Sequence, residues 1–202
     1  MKKLIIALAA VFAFAFSANA QFGIIAGVTS SKTDIKEAYA DVKNITQYHV
    51  GATYKIPLVM GLAVQPGIIY NVKGSKIEDV TGMGDIDFKS GYLEIPVQVQ
   101  WGFDLAVARP YIFAEPFLGY AVSSQAKFNI KEIGGSDWED IKDQLKSRVE
   151  YGIGLGAGID IFKKLQVSVR YFWNLDEFTI KDISDAVKGK NNGVCASVAF
   201  FF

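Results

Sequence analysis

From Val149 to Ile161 the chain alternates without a break. Val149, Tyr151, Ile153, Leu155, Ala157, Ile159 and Ile161 are apolar, while Glu150, Gly152, Gly154, Gly156, Gly158 and Asp160 between them are glycine or charged. A helix would spread both sets around its axis, whereas a strand sends them to opposite faces. The segment is therefore read as a β-strand with one face suited to lipid and the other to water or polar partners. It is longer than the about 9–11 residues with which a tilted strand crosses a bilayer.

The same period recurs in eight segments, roughly 22–31, 46–57, 60–74, 90–103, 109–125, 147–162, 165–175 and 192–202. Short turns are expected near Leu58-Val59, Leu105–Ala108 and Lys163-Lys164, and long polar loops near 32–45, 75–89, 126–146 and 176–191. That rhythm predicts an all-β fold: an eight-stranded antiparallel transmembrane β-barrel with short periplasmic turns and long external loops. Parity alone fits a soluble barrel too, with its apolar face inward. Depth separates the two readings, because membrane barrels gather aromatic rings at both interfaces. On the outward parity Tyr48, Tyr70, Tyr120, Tyr151, Tyr171 and Trp173 fall at external strand ends, and Phe22, Tyr54, Trp101, Phe103, Phe200 and Phe202 at periplasmic ends.

Residues 1–20 carry the zones of an export signal: Lys2 and Lys3, the uncharged run Leu4 to Phe16, then Ala18-Asn19-Ala20 before the expected cleavage point. The apolar run is shorter than the ~20 residues of a spanning helix. Residues 21–202 form the barrel domain. Taking Lys2 and Lys3 from the 21 basic residues leaves 19 against 21 acidic, a net charge near −2 that suggests no nucleic-acid partner. The single Cys195 cannot form an internal disulfide. Phe200 and Phe202, on the apolar parity of the last strand, are expected to form the signal read by the barrel assembly machinery, so the chain is assigned to the outer membrane, with outer-membrane lipid as a partner.

Two local features complicate the scheme. Pro66, Pro96 and Pro116 stand mid-strand in consecutive strands, where each deletes a ladder donor. Bulges are expected there, with Gln65, Glu94 and Glu115 satisfying the freed carbonyls. Residues 137–146 place Trp138, Ile141 and Leu145 on one helical face, with acidic residues at the start and Lys146 at the end. A short helix there would cap the barrel mouth or present a binding face.

Taken in order, the Gly27 segment, Gln65-Pro66-Gly67 with Gly74, Tyr92-Leu93-Glu94-Ile95-Pro96-Val97, Pro110-Tyr111 leading to Gly119, Gly158-Ile159-Asp160 and Arg170-Tyr171 resemble the PorT-like outer-membrane β-barrel family of the Bacteroidetes. The resemblance covers the whole chain after the signal. It implies an eight-stranded outer-membrane barrel, a family name linked to protein secretion, and no catalytic motif.

The polar parity defines the candidate site. Lys55, Lys73, Glu94, Glu115, Arg148, Glu150, Asp160 and Arg170 share it, and a Lys or Arg facing lipid at midplane would cost about 2–4 kcal/mol. These residues are expected inside. An eight-stranded barrel is just wide enough for its own side chains, so balanced charges there read as a plug, with a narrow ion pathway as the alternative. The stripe Gly152, Gly154, Gly156 and Gly158 leaves room for longer groups, with Arg170 and Glu94 the leading pair. His49, the only histidine, is expected on lumen parity near the external end of the second strand; a catalytic reading would pair it with Ser30 or Ser31. Cys195 is read as a small interior side chain. No zinc-protease, paired-cysteine or phosphate-loop motif occurs. The chain is thus read as non-enzymatic, without catalytic, cofactor or metal residues. It is expected to be a monomer with a structural or surface-binding role through its external loops, toward an unidentified protein or glycan. A small channel or secretion accessory, and then a lipid-modifying enzyme, are the alternatives.

Overall fold

The computed structural model describes residues 21–35, 42–77, 84–130, 138–140, 149–176, 178–179 and 188–202. Eight long strands carry the fold: β1 Gln21–Ile35, β2 Val42–Pro57, β3 Leu62–Ile77, β4 Gly84–Gly102, β5 Ala108–Ile130, β7 Val149–Ile161, β8 Leu165–Asn174 and β10 Lys188–Phe201. Two short ones, β6 Trp138–Asp140 and β9 Phe178–Thr179, attach to β5 and β10. Each long strand pairs antiparallel with its sequence neighbours, and β1 pairs with both β2 and β10, which closes the sheet into an eight-stranded barrel. Closure removes the free edges that an open sheet would expose.

Strand alternation sets what faces where. Along β8, Leu165, Val167, Val169, Tyr171 and Trp173 are exposed while Gln166, Ser168, Arg170, Phe172 and Asn174 are buried. The inward parity also holds large rings, with Tyr92, Tyr111, Phe113, Phe117, Phe172 and Phe201 all buried. They fill the interior that the small inward residues leave. Phe117, Phe113 and the Tyr111 hydroxyl stand 2.4, 2.5 and 2.5 Å from where a side chain would begin at Gly152, Gly156 and Gly158, and Arg170 Cδ stands 2.7 Å from that point at Gly154. The stripe therefore seats three rings of β5 and one arginine of β8, not Arg170 together with Glu94.

Two turns at the short end are tight hairpins. Leu62 N donates to Val59 O at 3.2 Å and Lys164 N to Ile161 O at 3.1 Å. The central residues Met60, Gly61, Phe162 and Lys163 all have positive φ (59°, 76°, 51°, 58°), which matches the right-handed twist of flanking strands.

The opposite end differs from the expected polar loops, because strands continue into them: β1 reaches Ile35, β2 begins at Val42, β3 reaches Ile77, β4 begins at Gly84 and β5 reaches Ile130. Hydrogen-bond ladders need no apolar face once the wall stands clear of lipid, so apolar alternation underestimates strand length there. The expected helix is also corrected. Trp138–Asp140 is extended and pairs with Gln125–Lys127, since a neighbouring strand edge offers the backbone partners that a short helix would leave unmet at its ends. Residues 137 and 141–146 lie outside the described residues.

The prolines do not bulge their strands. Pairing resumes in unchanged register on either side of each, as in Thr53↔Gly67 and Ile56↔Val64 around Pro66, or Pro96↔Phe117 and Val99↔Ala114 opposite Pro116. Losing one donor removes one bond, and the bonds beyond it keep the strands aligned. Thr53 Oγ1 donates to Pro66 O at 3.0 Å, whereas Gln65, Glu94 and Glu115 turn to other side chains. The register shifts fall instead between Asn44 and His49 on β2 and at Gly91/Tyr92 on β4.

Candidate functional site

The lumen is filled by two polar layers. In the layer nearer the short turns, Asp160 of β7 is the hub. Arg109 and Gln166 lie directly across the ladder from it, and Arg109 Nη1 and Gln166 Nε2 donate to its two oxygens at 3.0 and 2.8 Å. Lys55 reaches it from β2 as a third donor. Glutamines extend the layer around the wall: Gln65 Nε2 donates to Gln166 Oε1 at 3.0 Å, and Gln100 Nε2 to Gln65 and Gln98 at 2.8 and 2.9 Å. Arg109 closes the circuit on Gln100 at 3.1 Å and on the Gly61 carbonyl at 2.8 Å.

The second layer is centred on Lys73, which is wholly buried. Its ammonium lies 2.6 Å from Glu94 Oε1 and 2.6 Å from Glu150 Oε1, and 4.6 Å from the centres of both the Phe117 and Phe172 rings. Asn71 donates to Glu94 at 3.0 Å and Asn174 to Glu150 at 2.5 Å. Arg170, below the same two rings, pairs with Glu115. Its second amine is 3.3 Å from Cys195 Sγ, directly across the ladder, and 3.9 Å from Glu94 Oε2. The expected pair of Arg170 with Glu94 is thus present as the longer contact, and Glu115, not foreseen as a partner, is the nearer carboxylate. Glu94 is held chiefly by Lys73, whose shorter ammonium fits between two carboxylates.

His49 occupies mid-strand on β2, not the mouth, because β2 starts at Val42. One ring nitrogen meets Thr29 Oγ1 at 2.9 Å; the other reaches across β1 to Ser197 Oγ at 2.9 Å. Gly27 makes that reach geometrically open, since a side chain there would begin 2.6 Å from His49 Nε2. Ser31 instead bonds the Gly74 backbone, with its hydroxyl 3.0 Å from both Gly74 O and N. Neither Ser30 nor Ser31 partners His49. With both nitrogens engaged and 4% of its surface exposed, the imidazole acts as a strut joining β2, β1 and β10. Thr29 carries the chain onward to Asn71 Oδ1 at 2.8 Å. Among the described residues no group of His, Cys, Asp and Glu could hold a metal ion.

Of the eight lumen charges expected from parity, Lys55, Lys73, Glu94, Glu115, Glu150, Asp160 and Arg170 are buried, and Arg148 lies outside the described residues. Arg109, overlooked in that reading, shares the parity of Tyr111, Phe113 and Glu115 and could have been found by it. The described lumen thus balances four cations, Lys55, Lys73, Arg109 and Arg170, against four carboxylates, Glu94, Glu115, Glu150 and Asp160. Balance matters because an isolated ion in this interior would cost several kcal/mol, and only pairing with further hydrogen bonds offsets it.

The outer face is apolar. Tyr48, Tyr120, Tyr151, Tyr171 and Trp173 are exposed toward the extended end, with Tyr70 half-buried beside Tyr48 at 6.3 Å between ring centres. Phe22, Trp101, Phe103, Phe200 and Phe202 are exposed toward the short turns, with Tyr54 half-buried. Phe22 stacks on Phe202 at 6.3 Å, and Trp101 meets Phe103 edge-on at 4.8 Å.

A closed barrel with a charged interior and a ringed apolar exterior defines the class of outer-membrane barrels. A family model described as outer membrane protein beta-barrel domain matches residues 13–179, and the chain belongs to that family. Its place is therefore the outer membrane. Similar solved structures include Neisserial surface protein A, at 14% identity over 91% of this chain and 99% of that one, TM-score 0.46. Ail, the attachment invasion locus protein of Yersinia pestis, is 15% identical over 90% and 99%, TM-score 0.43. Outer membrane protein W of E. coli is 18% identical over 91% and 98%, TM-score 0.40. No curated protein matches the chain.

Proposed function

We propose that this barrel is non-enzymatic, that its lumen is closed, and that it works structurally or as a binding module through its external end. The observation that carries this reading is the charge-balanced double layer of ion pairs and hydrogen bonds around Asp160 and Lys73, which encloses His49 and Cys195 as buried side chains. A binding role is supported by the wall itself, because β5 runs ten residues past Tyr120 to Ile130 while β8 ends one residue past Trp173. This one-sided extension is a platform of backbone held well beyond the lipid. Within the family, the ordered motifs from Gln65-Pro66-Gly67 to Arg170-Tyr171 support placing the chain with the PorT-like barrels. Partners at that platform are then a protein or glycan. The assembly machinery handles the chain earlier, through its last strand.

The test has two arms. Purified protein in planar bilayers should be silent, and steady single-channel conductance would overturn the closed lumen. Shortening the β3–β4 hairpin, by joining Gly74 to its ladder partner Lys89 through a tight turn in place of residues 75–88, should abolish capture of surface partners from intact cells while folded barrel persists on gels. Unchanged capture would overturn the platform.

A further inference from the structure

At its short-turn end the barrel finishes largely in apolar residues. Val59 and Met60 are 76% and 87% exposed, Leu105 and Val107 62% and 58%, and Phe162 72%. The lipid-facing residues Ile68 and Ile112 reach 58% and 59%, so the rim is at least as open as the belt. The segment from Pro57 to Leu62 contains no polar side chain at all. In water, positive-φ hairpin positions favour Asn, Asp and Gly, which tolerate that backbone and hydrate well. Here Met60 and Phe162 occupy such positions, a choice that makes physical sense only where a large apolar side chain gains from its surroundings.

The turns are also tied to one another and to neighbouring strand ends. Phe162 N donates to Val107 O at 2.8 Å, Gly102 N to Gly61 O at 3.0 Å and Phe201 N to Lys164 O at 2.7 Å, and Arg109 grips Gly61 from inside. A framework so cross-linked holds its apolar side chains outward.

We propose that this rim is a lipid-embedded foot, seated in the acyl–headgroup boundary of the bilayer leaflet at the short-turn end. Phospholipid is the occupant because the rim continues the lipid-facing belt through Leu62, Trp101 and Phe103. Charge placement agrees. Lys163 and Lys164, exposed beside Phe162, have stems long enough to carry their ammonium groups to phosphate depth. The rim carboxylate Asp104 lies 3.8 Å from Arg109. The foot fixes how deeply the barrel sits and leaves that end without a surface for a soluble partner.

The inference rests on the membrane-barrel reading, and the experiment separates the two. Bimane is attached to Met60→Cys, Val59→Cys or Phe162→Cys in proteoliposomes, with Val198→Cys as a belt control and the unmodified chain to show that buried Cys195 stays unlabelled. Only protein that keeps the heat-modifiable gel shift is measured. Lipids brominated on the acyl chain should quench the rim probes at least half as strongly as the belt control, while aqueous iodide quenches them at least fivefold less than free dye. Iodide quenching near that of free dye, with the belt control still quenched by lipid, would place the rim in water and overturn the foot. A belt control insensitive to brominated lipid would instead overturn the membrane barrel.

Discussion

Replacing Lys73 by Met keeps the stem and its contacts with the rings but removes the one cation lying 2.6 Å from both Glu94 and Glu150. At an effective dielectric of about 20, each contact represents about 6 kcal/mol of bare attraction, most of it offset by the cost of taking the ions out of water. Removing one member of a buried pair leaves a net loss of about 3–5 kcal/mol. Glu94 keeps Asn71 and a distant Arg170, and Glu150 keeps Asn174, so neither carboxylate finds a full replacement. The attraction of the ammonium to the faces of Phe117 and Phe172 is lost as well. Lys73→Met is expected to destabilise the barrel by about 4 kcal/mol, close to a thousandfold in the folding constant. Glu150→Gln alone should cost less, because Lys73 retains Glu94. The double variant should recover about 2 kcal/mol relative to the sum of the single effects, within the range seen for residues in direct contact. Urea unfolding in lipid vesicles, followed by tryptophan fluorescence and the gel shift, measures all four corners of the cycle. Additivity within about 0.5 kcal/mol would refute the reasoning that the two carboxylates share one ammonium.

Three further outcomes are expected. In the same assay, Arg170→Ala should couple more strongly to Glu115→Gln than to Glu94→Gln, because Glu115 is its nearest carboxylate and Glu94 stands 3.9 Å away; the reverse order would contradict the assigned pairing. Gly27→Ala should lower stability more than Gly154→Ala, since a side chain at 27 would begin 2.0 Å from the Ala196 carbonyl of the barrel wall, whereas at 154 it meets the movable Arg170 stem. Overpacking costs about 1–3 kcal/mol where neighbours can adjust, so equal denaturation midpoints for the two variants would count against that distinction. An epitope inserted at Gly134-Gly135 should be detected on intact cells and one at Lys163-Lys164 only after permeabilisation; the opposite pattern would invert the topology.

The barrel was legible in the sequence because the decisive signal is local. A strand's two faces are written in residues two apart, so β7 could be read from its own alternation, and the same rule placed Lys55, Asp160 and Arg170 on one parity. Arg109 was equally within reach of that rule but stands at the edge of its strand, where apolar alternation is only beginning. Where alternation stopped carrying information, so did the reading: the outer parts of β1 to β5 continue as polar strands because neighbouring strands supply their hydrogen bonds. Tertiary structure decided the rest. Which ammonium meets which carboxylate depends on the heights and curvature at which separate strands face each other across a closed lumen. Parity therefore placed Arg170 and Glu94 inside without revealing that Glu115 holds the first and Lys73 the second. The inward rings of β5 follow the same logic, since the glycines they cover lie on β7, and the closed wall brings the two strands side by side. His49 is the clearest case: its partners Thr29 and Ser197 are 20 and 148 residues distant in the chain, and only closure of β1 onto both β2 and β10 brings them within reach of one imidazole.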